Sequence, residues 1–384
     1  MRPTTAAEED RLEPRTKRVA LGRLEIDLSG ADFIADSVRE EVAHQSSDRS
    51  QCTGRLSFHF GHTAEAGDGA VEIDSFEVGK TVVHLGDRLM PCSLRWDGTD
   101  LQVTVASTSG FWKSPFFAPA VRLIDQSFND SSGRLSKRFY YTVFDQAVQI
   151  AQVPLRQSWI HSSAVTNGER TLLFMAWGGV GKTSTLLKML ETGSWRFLSD
   201  DLAVIDETGT VYRSPQKIQV FASNVAGQDA LRARLLGGRS SIDLAHWAMR
   251  RRVLGPKSVR RRVHVEDLFG DDSVAVSGRV TDAVYLRRTT APDFQVDVST
   301  PRDLARLGAS VLQAELDPLY LWLTAIHSAS PFQNWPTVDE MIRDTTSIIE
   351  AGLIKAGSRC VIVDVPKWSG PDDLLRFVHD QVLS

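Results

Sequence analysis

Apolar and polar side chains alternate through the first third of the chain. Leu24-Glu25-Ile26-Asp27-Leu28, Leu56-Ser57-Phe58-His59-Phe60 and Leu101-Gln102-Val103-Thr104-Val105 each repeat with a period of two. That is the spacing of a strand with one face buried. Asp97-Gly98 and Gly67-Asp68-Gly69 punctuate these runs as turns. Residues 1–18 are charged and short of apolar side chains, so a disordered tail is expected there. Residues 19–150 read as a β-rich region, ending in an apolar, helical stretch from Tyr140 to Leu155.

The pattern changes over residues 151–384, which read as a second domain. Trp159 to Val165 and Thr171 to Met175 are apolar runs joined by Thr166-Asn167-Gly168-Glu169. An Asn-Gly turn between two such runs predicts a hairpin. Periodic apolar positions from Thr183 to Leu190 predict a helix, stopped at Gly193, and Trp195-Arg196-Phe197-Leu198 predicts a short strand. Further on, Ala283 to Leu286 and Cys360 to Val365 read as buried strands. Pro301 to Leu304, Leu319 to Leu323 and Pro371 to Val382 read as helical. The fold class expected is mixed α/β.

Candidate chemistry begins where the second apolar run ends. Ala176-Trp177-Gly178-Gly179-Val180-Gly181-Lys182-Thr183 matches a phosphate-binding P-loop except at its first position, where the motif has glycine. A strand feeding a glycine-rich turn into a helix aims backbone N–H groups at an anion. Gly178, Gly179, Val180, Gly181, Lys182, Thr183 and Ser184 are the candidate nucleotide contacts, with Lys182 reaching the β- and γ-phosphates and Thr183 placed for Mg²⁺. Alanine at 176 is tolerated if its φ stays negative.

The strand after the helix ends in Ser199-Asp200-Asp201. A carboxylate at a strand end near such a loop is where a Mg²⁺ ligand is expected. Alternation along a strand would send the two carboxylates different ways, one to metal and one to a substrate hydroxyl or water. Paired aspartates also serve as turns and helix caps. Arg250, Arg251, Arg252, Lys257, Arg260, Arg261 and Arg262 form a basic cluster around Gly255-Pro256. Such runs are commonly solvated faces. On a strand, Arg260 and Arg262 would share a face, placed to stabilise charge on a transferring phosphoryl group or to clamp an acidic acceptor.

The order of His161, the Asn-Gly turn, apolar strand, glycine-rich loop, helix, Gly193, strand and Ser-Asp-Asp resembles the HPr kinase/phosphorylase-like kinases. These share a fold with ATP-dependent phosphoenolpyruvate carboxykinase. The likeness runs from about Trp159 to Val220 and includes Pro215. It implies a P-loop nucleotide-binding core behind the β-rich region, with ATP and Mg²⁺ as cofactors. It puts His161 close to the transferred phosphate and Asp200 and Asp201 on the family's paired aspartates, which handle acceptor proton and metal. On that likeness Asp200 is assigned as base and Asp201, with Thr183, to the metal. The Gly-Leu-Gly-Ile-Ile-Asn-Val-like run of HPr kinases proper is absent from the sequence. The nearer resemblance is to related kinases that phosphorylate a serine of a ribosomal peptide or a small hydroxylated metabolite. The oligomeric habit of the family makes self-association an expectation.

Composition narrows the classes. With 384 residues, 42% hydrophobic and 24% charged, the chain can bury one or two cores. A net charge of −4 gives no support to nucleic-acid binding. Cys52, Cys92 and Cys360 are too scattered for a disulfide framework or zinc site and fit a cytoplasmic setting. No signal peptide or membrane span is expected. The remaining readings are a kinase acting on a hydroxyl, a P-loop ATPase driving a protein partner, and a nucleotide-binding module without turnover.

Overall fold

The computed structural model describes residues 16–30, 34–46, 48–61, 63, 65–86, 90–106, 131–329 and 334–383. The chain divides into two compact units. Among the described residues, one unit holds those up to Leu155 together with those of the segment Pro318–Val338; the other holds Arg156–Asp317 and those from Asp339 onward. Residues 1–15 of the tail expected at the N-terminus lie outside the described residues. A strand begins at Lys17, within the rest of it.

The first unit is an eight-stranded sheet. Its strands are β1 (Lys17–Leu21), β2 (Leu24–Gly30), β3 (Gly54–Phe60), β4 (Val71–Ile73), β5 (Phe76–Val78), β6 (Val83–Leu85), β7 (Cys92–Trp96) and β8 (Asp100–Val105), in the order β1-β2-β3-β8-β7-β6-β5-β4. The alternating runs are β2, β3 and β8, neighbours at its centre. Leu56, Phe58 and Phe60 of β3 point into the core while Arg55 and His59 face outward. The stretch around Tyr140–Leu155 is helical, as its apolar density implies, but it contains a π-turn at Tyr140–Phe144. Phe139, just before this turn, and Phe144, at its end, both meet Phe58, whose ring stacks on Phe144 at 5.4 Å, and Tyr140 packs against the two of them.

The second unit is built on a nine-stranded mixed sheet. Its strands are β9 (Gln157–Thr166), β10 (Thr171–Ala176), β11 (Arg196–Ser199), β12 (Leu202–Asp206), β13 (Thr210–Tyr212), β16 (Ser277–Arg279), β17 (Asp282–Thr289), β18 (Gln295–Val298) and β19 (Arg359–Pro366). The order is β16-β13-β12-β9-β10-β17-β19-β18, with β11 also paired to β9. The predicted hairpin is β9–β10, antiparallel with Thr166 opposite Thr171. β10, β17 and β19 run parallel. All ten residues of β9 are buried, which is why its sequence reads as a run without alternation.

Helices cover both faces. On one, α1 (Lys182–Glu191) packs Leu186 and Leu187 against Val165, Leu172 and Phe174. Each buried leucine contributes about 2 kcal/mol. On the other, α2 (Pro301–Glu315) packs Leu304 and Ala305 against Ile160, Leu173 and Met175. A separate ribbon pairs β14 (Ile218–Phe221) with β15 (Arg260–Val263). The basic cluster thus divides. Arg250, Arg251 and Arg252 end the helix Ser241–Leu254, while Arg260, Arg261 and Arg262 form β15. Ser241–Leu254 and Val338–Ala356 are the longest of the helices that the sequence analysis does not anticipate.

Candidate functional site

The site forms where β9, β10 and the strand after α1 meet. Ala176 is the last residue of β10, buried and with no positive φ, so its methyl group meets no backbone demand that only glycine could answer. The demand falls later, on Gly179 at φ 80° and Gly181 at φ 121°, where a Cβ would be strained. Gly181 directly precedes α1, so the helix opens with Lys182 and Thr183 at its positive end.

Lys182 is buried. Its Nζ donates to the carbonyls of Ala176 at 2.8 Å and Trp177 at 3.2 Å, and lies 3.3 Å from Nε2 of His161. Burial pushes its pKa down, against the opposing pull of Asp201, Asp200 and Glu315. His161 comes to this place by register. It sits on β9 one residue past the last position paired with β10, on the face of Ser163 and Val165 that looks toward α1.

Asp200 and Asp201 occupy a break in a strand. β11 pairs with β9 from Arg196 opposite Thr166, β12 resumes with Leu202 opposite His161, and the register shifts between Phe197 and Ser199. The two aspartates lie in the gap, with Asp201 in the left-handed region at φ 72° and its carbonyl accepting from Ser162 N at 3.0 Å. The left-handed torsion at Asp201 breaks the extended path of the strand and re-aims its side chain. Simple alternation does not describe the pair.

The two carboxylates accordingly face different partners. Thr183 Oγ1 donates to Asp200, 3.0 Å from Oδ1 and 2.9 Å from Oδ2, and Ser163 Oγ also donates to Oδ1. Burial, reinforced by the neighbouring Asp201 charge, raises the Asp200 pKa above the usual carboxylate value despite the Ser163 and Thr183 hydrogen bonds. Asp201 Oδ1 lies 3.3 Å from Nε2 of His161. Burial raises its pKa too, but the hydrogen bond and charge of His161, with Lys182 and Arg260, outweigh burial and hold it low.

Other candidates take their places around this centre. Arg260 and Arg262 share one face of β15, and Arg260 is within electrostatic reach of Asp201 with its guanidinium over the Phe221 ring at 5.3 Å. Arg261, on the opposite face, is buried and paired to Asp243 at 2.7 Å. Ser184 accepts a hydrogen bond from Asn224 Nδ2 at 2.7 Å, and Asn224 Oδ1 accepts from Phe221 N at 2.7 Å. Asn224 therefore ties the Arg260 ribbon to α1. Gly178 is exposed at the loop tip and Val180 is buried beneath it.

Sequence reasoning passed over Ser163, Asn224 and Glu315. Glu315 ends α2 and brings Oε1 to 3.3 Å from Nδ1 of His161. No spacing signals it, because α2 arrives from the opposite face of the sheet 154 residues later. Ser163 had a legible signal, sharing the β9 face with His161 two residues away.

Among the described residues no group of three or more His, Cys, Asp and Glu is placed to hold a metal. None of the described helices is long and apolar enough to cross a membrane. No protein-family model and no curated protein matches the chain. Among solved structures, the HPr(Ser) kinase/phosphatase from Coxiella burnetii aligns over 59% of this chain and 97% of its own, at 10% identity and a TM-score of 0.27. A superposition that loose defines no common fold, and the site stands on its own geometry.

Proposed function

We propose that this chain is a phosphotransferase that moves the γ-phosphoryl group of a nucleoside triphosphate to a hydroxyl of a peptide or small-molecule acceptor. The observation that carries the reading is the division of labour between adjacent carboxylates. Asp200 is bound to Thr183 at the head of α1, and Asp201 is held by His161 beside Lys182. A nucleotide switch needs one carboxylate beside the loop hydroxyl; a second, separately oriented one suits an acceptor proton.

The same division supports exchanging the roles that the family resemblance suggests. Asp200 and Thr183 would hold Mg²⁺, and Asp201 would receive the acceptor proton. The donor set fits the ion, because Mg²⁺ is usually bound by one or two carboxylates plus substrate phosphates. The excess of carboxylate here (Asp200, Asp201 and Glu315 around Lys182 and Arg260) is a field that a cation relieves. When bound, the ion supplies neutralisation of phosphate charge.

The chain's own groups do the rest. Lys182 turns from the loop carbonyls to the β- and γ-phosphates, and loop amides cradle them. Arg260 faces the charge that spreads over the γ-phosphoryl oxygens. The phosphoryl group leaves its bridging oxygen and bonds to the acceptor oxygen, whose proton passes to Asp201. A carboxylate with a lowered pKa is a weak base, which suffices when the transition state is loose and the proton leaves late. His161, fixed between Asp201 and Glu315, positions that carboxylate.

The test is γ-labelled ATP with Mg²⁺, given to purified protein and a fractionated extract of the host. Label on a new organic species is the expected result, and its mass identifies the acceptor. Label found solely as inorganic phosphate would overturn the kinase reading in favour of a partner-driven ATPase. Lys182→Ala should reduce transfer by at least about a hundredfold, and a variant retaining wild-type rates would remove the loop from the mechanism.

A further inference from the structure

The nucleotide reading, on which this inference rests, gives the bound triphosphate a direction. Its reacting end belongs on the β9–β12 side of the glycine-rich loop, where His161, Asp200, Asp201 and Arg260 gather. The nucleoside must then extend the other way, over the carboxyl ends of β17 and β19. That crevice is the usual ligand edge of a parallel α/β sheet.

Two tryptophans stand at this edge. Trp368, just beyond β19, is 82% exposed, and Trp177, the first residue after β10, is 52% exposed. They are the most exposed aromatic side chains among the described residues. Leaving so much apolar surface in water gains nothing for the fold.

The Trp368 loop is held firmly. Lys367 N donates to Thr289 O at 2.9 Å, Arg288 Nη1 donates to Pro366 O at 2.9 Å, and Ser369 Oγ donates to Pro366 O at 2.8 Å. Lys367 Nζ lies 5.2 Å from the centroid of the Trp368 ring. The loop leads into α3 (Pro371–Val378), which abuts the glycine-rich segment. A Cβ at Gly181 would meet Leu374 at 3.5 Å, and Lys188 of α1 pairs with Asp372 at 2.5 Å. One set of contacts therefore fixes both the phosphate loop and the exposed indole.

We propose that Trp368, backed by Lys367 and accompanied by Trp177, is the shelf on which the purine base of the nucleotide stacks. An exposed indole presented from a stapled loop offers a flat π-face at little ordering cost, and a purine has the larger face to match it.

Calorimetric titration with Mg-ATP and with Mg-tripolyphosphate, which lacks base and ribose, tests this. Wild type should bind ATP more tightly than tripolyphosphate. Trp368→Ala should weaken ATP by roughly tenfold while leaving tripolyphosphate unchanged, and Trp368→Phe should recover most of the loss. Trp368→Ala binding ATP like wild type, or losing both ligands equally, overturns the shelf. Wild type binding both ligands with equal strength also overturns it yet keeps the phosphate loop. Wild type binding neither removes the nucleotide reading, and the shelf with it.

Discussion

Two chemically identical side chains, Asp200 and Asp201, are driven in opposite directions by their surroundings. Burial and the Asp201 charge raise the Asp200 pKa, so at neutral pH its ionised form costs the folded state free energy. The cost is complete above the folded pKa and vanishes as pH falls to the unfolded value near ~4. Asp201 is the reverse case. Burial opposes it, but His161, Lys182 and Arg260 prevail, and its contribution to stability is present above the unfolded value and lost as pH falls through the lower folded one. Asp200→Asn should therefore melt above wild type at pH 7, and Asp201→Asn below it. The Asp200 difference should shrink as pH falls toward ~4 and be gone there, whereas the Asp201 difference should shrink only below pH ~4. Thermal unfolding in the absence of nucleotide, run across pH 3–8, checks the pair; two shifts of one sign would contradict the assignment of environments. Much of this centre is legible in the sequence, because a glycine-rich loop and two adjacent aspartates are local signals. Glu315 is not, since only the packing of α2 on the sheet brings it to His161.

At the scale of elements, the departure from the loop motif at Ala176 has a structural answer. The position is the end of a buried strand, and the turn's unusual torsions fall on Gly179 and Gly181. Ala176→Gly, which restores the motif, should cost about 0.5–1 kcal/mol of stability without tightening ATP. Denaturant unfolding and calorimetry together check this. Gly181→Ala, at φ 121°, should instead impair binding, because no L-residue adopts that torsion without strain. Strands declared themselves where period two or a solid apolar run was unbroken, as in β2, β3, β9 and β10. The bulge between Phe197 and Ser199, just before Asp200 and Asp201, did not, because a register shift depends on the partner strand and leaves no periodic trace in its own sequence. The helix Ser241–Leu254 was hidden for a different reason. Ile242, Met249 and Val253 face solvent while Arg250 is buried, so its hydrophobic pattern does not mark an inward face.

At the scale of the molecule, the order of the chain and the grouping of its parts diverge. Pro318–Val338 comes from the later half of the sequence yet belongs with the first unit, where Trp335 lies 6.2 Å from Trp96 and the Trp96 indole donates to Asn334 O at 3.3 Å. Local patterning has no means of marking this, since the helix Asp317–Ala329 looks the same whichever core it serves. Its burial of Leu319, Trp322, Leu323 and Ile326 represents several large side chains, each carrying about 2 kcal/mol of apolar transfer free energy. Cutting the chain between Leu155 and Arg156 therefore parts Pro318–Val338 from the rest of its unit. A fragment of residues 156–384 would retain every residue assigned to phosphoryl transfer but carry a segment whose home unit is gone. It should aggregate or bind a hydrophobic dye strongly when expressed alone, and coexpression with residues 1–155 should restore solubility and nucleotide binding together. A 156–384 fragment that is monomeric, dye-silent and fully competent to bind Mg-ATP would show that the first unit lends no stability to the second. The β-rich half would then have to be explained by a role of its own.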